Sequence, residues 1–72
     1  MAEKLSKEDV LVMGRYIPLM LEDLLEAKSE RYTQLKVKWD MFNKKGAMGH
    51  EIVNLYMLCR EQLPEDKVVK YP

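Results

Sequence analysis

Cysteine is almost absent from this chain, and that absence is the first constraint. Cys59 is the single cysteine, so no disulfide can form within one molecule. A lone thiol with no secretory leader points to a reducing, cytoplasmic setting. The amino-terminal run Met1-Ala2-Glu3-Lys4-Leu5-Ser6-Lys7-Glu8-Asp9 is charged and lacks the apolar stretch of a signal peptide. Long apolar runs are missing too. The most apolar region, Val10 to Leu25, is interrupted by Arg15, Glu22 and Asp23, whereas a membrane span needs about twenty predominantly apolar residues. Histidine is as scarce as cysteine. With one of each the chain lacks the several Cys or His ligands of a zinc site, and no metal or other cofactor is expected.

An excess of charge of either sign is also lacking. Twelve basic residues balance twelve acidic ones, which gives no global attraction to nucleic acid or to a membrane surface. The charges are segregated, however. Residues 1–27 hold three basic and six acidic side chains, and residues 28–45 hold six basic and two acidic. The middle of the chain is its only basic region.

What is present is apolar and helix-forming. Apolar side chains make up 47% of the residues and charged ones 33%, a balance that folds rather than stays disordered. Seventy-two residues make one small domain, 1–72, with ends at 1–6 and 64–72 expected to be flexible. A chain of this size buries only about 60% of the surface its unfolded form exposes.

Ser6 followed by Glu8 and Asp9 is a helix start, with a capping hydroxyl and acids facing the positive end of the helix dipole. Pro18 then disfavours helix at Ile17 and suits the first position of a new helix. The expected helices are therefore 7–16, 18–45 and 49–63, with a kinked continuous helix through Pro18 as the alternative. Along 18–45 runs a stripe of Leu21, Leu25, Lys28, Tyr32, Leu35, Trp39 and Phe42 at alternating spacings of four and three, a heptad seam whose only polar member is Lys28. Lys44-Lys45-Gly46 is a helix stop. Ile52, Leu55, Tyr56, Cys59 and Leu63 share the inner face of the third helix, and Pro64 ends it. The expected fold is all-α, a helical hairpin or small three-helix bundle. Residues 35–41 also alternate apolar and polar, so the competing fold is α+β, with a strand at 34–41 paired with 67–71.

Candidate chemistry is thin. His50 and Cys59 are the one pair of a catalytic type, but nine helical residues put them about 13–14 Å apart along the axis and on opposite faces, beyond proton-transfer range. Glu22, Glu26 and Glu30 form an acidic row without the Glu-x-x-His motif of carboxylate-bridged metal sites. No phosphate-binding glycine loop or nucleophile elbow occurs. No enzyme activity is expected.

The expected function is protein–protein interaction, as a regulator, adaptor or assembly subunit. The expected binding residues are Tyr32, Leu35, Lys36, Lys38, Trp39 and Phe42. The partner is another protein or a second copy, since two antiparallel 18–45 helices would set Glu22, Glu26 and Glu30 near Lys36, Lys38 and Lys44. The alternative is nucleic-acid binding through 28–45, where cations are interleaved with Tyr32, Trp39 and Phe42.

Overall fold

The computed structural model describes residues 6–71; the expected flexibility of residues 1–5 and of Pro72 lies outside the described residues. Three helices, α1 (Lys7–Glu26), α2 (Tyr32–Lys45) and α3 (Gly49–Gln62), form a small bundle, and a single-turn helix α4 (Glu65–Val68) follows. No strand occurs among the described residues, and 34–41 lies within α2. The α+β alternative is thereby set aside.

The start of α1 is the one its sequence encodes. The Asp9 amide donates to the Ser6 hydroxyl at 3.1 Å, and the Ser6 amide donates to the Asp9 carboxylate at 3.3 Å. This reciprocal box satisfies two otherwise orphaned donors. Past Tyr16 the expected break does not occur, and the alternative of a continuous helix holds, because α1 continues through Pro18. Proline in a helix removes one hydrogen bond and crowds the preceding turn, at about 3 kcal/mol. Ile17, Met20, Leu21 and Leu24 are all buried on the inner face of the same helix. Each fully buried side chain of that kind contributes roughly 1.5–3 kcal/mol, so their common face outweighs the proline. Pro18 itself is exposed.

The expected 18–45 helix does not exist. It is divided by a turn at residues 27–31. Lys28 adopts φ 57°, the only positive φ at a non-glycine residue among those described. The Ser29 amide donates to the Leu24 carbonyl at 3.0 Å, and the Lys28 amide donates to the Leu25 carbonyl at 3.1 Å. These two bonds are a complete Schellman closure with lysine in the usual glycine position. Ser29 then serves the next helix, accepting from the Arg31 amide at its hydroxyl (3.3 Å) and from the Tyr32 amide at its carbonyl (3.2 Å).

At the far end, α2 stops as expected. Gly46 has φ 86° and ψ 164°, a conformation open essentially to glycine alone. Its amide donates to the Phe42 carbonyl at 2.7 Å. α3 begins with Glu51 accepting from the Met48 amide at 3.0 Å and ends before Pro64. α1 packs most extensively on α3. Their core comprises Ile17, Met20, Leu21, Leu24, Leu55, Tyr56, Cys59 and Leu63, with Leu35 contributed by α2.

The carboxy-terminal residues also join the body of the protein. Tyr71 is buried and donates its hydroxyl hydrogen bond to the Asp23 carboxylate at 2.6 Å. Its ring meets Tyr16 edge to face at 5.5 Å. Lys70 lies 3.7 Å from the same carboxylate, and Lys67 lies 3.5 Å from Glu26. Asp23 is the one buried charged residue among those described, and this phenol and ammonium compensate its desolvation.

Candidate protein interaction surface

α2 turns Leu35 inward and leaves Tyr32, Trp39 and Phe42 half-buried against the core. The six expected binding residues therefore do not make one surface. Tyr32, Lys36 and Trp39 line a cleft of about 210 Å³ between α1 and α2, whose opposite wall is Pro18, Leu21, Glu22 and Leu25 of α1. Leu35 and Lys38 line a second cleft of about 180 Å³ between α2 and α3, together with Arg31, Gln34, Leu58 and Gln62. Phe42 packs against the core and lines neither.

The two clefts differ in chemistry. The α1–α2 cleft is walled by proline, leucine and aromatic side chains and rimmed by one acid and one base. Lys36 is already engaged there. Its ammonium donates to Asp40 at 2.7 Å, and that hydrogen bond first, then the nearby negative charge, raises its pKa. Glu22 forms no ion pair among the described residues and is exposed. The α2–α3 cleft is more polar, with Arg31, Lys38 and two glutamines around Leu35 and Leu58. Arg31 and Lys38 thus line the opposite side of α2 from Tyr32 and Trp39, while Lys36 shares the aromatic cleft.

The antiparallel pairing expected of 18–45 assumed one continuous helix. Its acidic residues Glu22 and Glu26 now belong to α1, Glu30 lies in the turn, and the basic residues belong to α2. The heptad seam is split in the same way. Leu21 is buried, but Leu25, four residues later, is 56% exposed, while Leu24 has taken the inner position.

Cys59 is wholly inaccessible, and burial pushes its thiol up to about 11. It is protonated at neutral pH and packed, the opposite of an activated nucleophile. His50 is exposed at the start of α3, so the two residues face different environments as well as different directions. Among the described residues no cluster of His, Cys, Asp and Glu could hold a metal ion. No helix there is long and apolar enough to cross a membrane.

No family model, curated protein or solved structure matches this chain.

The residues missed from sequence are those on α1. Pro18, Leu21, Glu22 and Leu25 form half of the apolar cleft, yet periodicity placed Leu21 and Leu25 on the same seam as the α2 residues. One signal did mark the division. Lys28 was the sole polar member of that seam, and it holds the left-handed position just past the end of α1.

Proposed function

We propose that the protein acts by binding another protein, as a small regulator, adaptor or assembly subunit, through the apolar cleft between α1 and α2. The observation that supports this reading is the pairing of a half-buried Trp39 and Tyr32 with an exposed Leu25 across one concave surface. A rigid aromatic floor beside an exposed aliphatic side chain is the usual chemistry of an interface centre. Glu22 and the Lys36–Asp40 pair at the rim add orientation more than affinity.

The test is affinity capture from the native cell, with the untagged chain as competitor and Leu25→Glu as the control. Leu25 is exposed, so its replacement leaves the core intact. A partner retained by the wild type and lost by Leu25→Glu is the expected result. Equal capture by both would reject the cleft as the binding surface.

A further inference from the structure

We propose that the exposed face of α1 marked by Leu11, Pro18 and Leu25 pairs with the same face of a second copy, antiparallel about a two-fold axis beside Pro18. The proposal rests on the protein-binding reading and names the partner for it.

Leu11, Pro18 and Leu25 stand seven residues apart, so each lies about 10.5 Å further along the helix with a drift of only about 20° around it. All three are exposed, Leu11 at 66% and Leu25 at 56%. Leu11 edges a cleft of about 460 Å³ floored by Val10, Ala47, Gly49 and Ile52. Pro18 and Leu25 edge the cleft that holds Tyr32 and Trp39. Val10 and Leu21, the α1 residues on the two floors, are eleven residues or about three turns apart. Both clefts therefore open on the same flank of α1. A two-fold beside Pro18 brings Leu25 of the second copy to the Leu11 cleft and its Leu11 to the Leu25 cleft.

The charges select the antiparallel orientation. Arg15 and Glu22 are exposed, and neither is engaged in an ion pair among the described residues. Seven residues separate them, too far to meet along their own helix. The same axis sets Arg15 opposite the second copy's Glu22, and Glu22 opposite its Arg15. A parallel pair would carry Arg15 and Glu22 of the two copies to opposite sides of the contact and leave both charges unpaired, so only the antiparallel arrangement joins them. An isologous contact of this kind closes on itself as a dimer and does not propagate.

Sedimentation equilibrium of the full chain, from micromolar to millimolar, reads the outcome, with circular dichroism confirming that each variant is folded. The wild type is expected to show a reversible monomer–dimer equilibrium. Arg15→Glu alone, or Glu22→Arg alone, should raise the dissociation constant about tenfold, because each replaces two attractive pairs by two repulsive ones. The double variant should return close to the wild-type value, and Leu25→Glu should be monomeric. A wild type that stays strictly monomeric would overturn the proposal. So would a dimer indifferent to the swaps, or a double variant no better than the singles. A strict monomer that still captures a different protein through Leu25 overturns the second copy and leaves the protein-binding reading standing. A strict monomer whose capture ignores Leu25 removes both.

Discussion

Tyr71→Phe should destabilise the protein although it removes one oxygen atom near the end of the chain. The tyrosine hydroxyl donates to a buried carboxylate at 2.6 Å, and hydrogen bonds to charged groups are each worth about 1.5–3 kcal/mol. Phenylalanine keeps the ring that meets Tyr16 at 5.5 Å, so apolar burial is nearly conserved. Asp23, only 8% exposed, is left with the longer Lys70 contact at 3.7 Å. In a domain of this size each kcal/mol moves the melting temperature by about 4–8 °C, so a fall of at least about 6 °C is expected. Thermal and urea unfolding followed by circular dichroism measure it. Asp23→Asn and the double variant complete a cycle whose coupling should exceed about 1 kcal/mol. A Tyr71→Phe shift below about 2 °C would refute the argument, since the tail would then be held by something other than this bond. The pH dependence gives a second readout. Burial first, and the hydrogen bond to Asp23 second, hold the Tyr71 phenol far above the ordinary tyrosine range. The folded state thus keeps a proton that the unfolded chain releases near pH 10. The associated stability is complete below that pH and declines as the pH rises above it. Tyr71→Phe should flatten the decline, leaving the smaller contribution of Tyr56, which burial also raises.

Gly14→Ala should stabilise the protein by about 0.5–1 kcal/mol, because a β-carbon there would meet the Ile52 side chain at 3.9 Å, an ordinary contact; a lower urea midpoint would show that α1 and α3 lie closer than this. Lys28→Gly should add about 0.5–1 kcal/mol by relieving the positive φ at the Schellman position, and a loss measured by chemical denaturation would mean that the Lys28 side chain contributes more than its backbone costs. Cys59, buried and with its thiol raised to about 11, should react with a thiol reagent at neutral pH only when the protein opens. Its labelling rate should therefore rise in parallel with the destabilisation of Tyr71→Phe, and fast labelling of the native protein would contradict the packing.

Features set by neighbours along the chain were legible before any packing was known. Ser6 and Asp9 start α1, Gly46 ends α2 and Pro64 lies just beyond α3, because capping and backbone restriction act over a few residues. The buried side of α3, with Leu55, Tyr56, Cys59 and Leu63, followed from its 3.6-residue period. Whether Pro18 breaks a helix, and where the following helix begins, depended on packing between the helices. Local preference favoured a break at Pro18 and continuity at Lys28, and both were overruled. The burial of Ile17, Met20, Leu21 and Leu24 against α3 carries α1 through the proline. The return of α2 onto that same core, through Leu35, requires a reversal after Glu26. A lysine in a left-handed conformation costs less than leaving that surface wet. Leu24 and Leu25 show the same limit at single-residue scale, since either one fits an apolar stripe and only the position of α3 makes Leu24 the buried one. Asp23 and Tyr71 lie 48 residues apart, and no periodicity links them; a buried carboxylate found its donor because the bundle brought the end of the chain to its door.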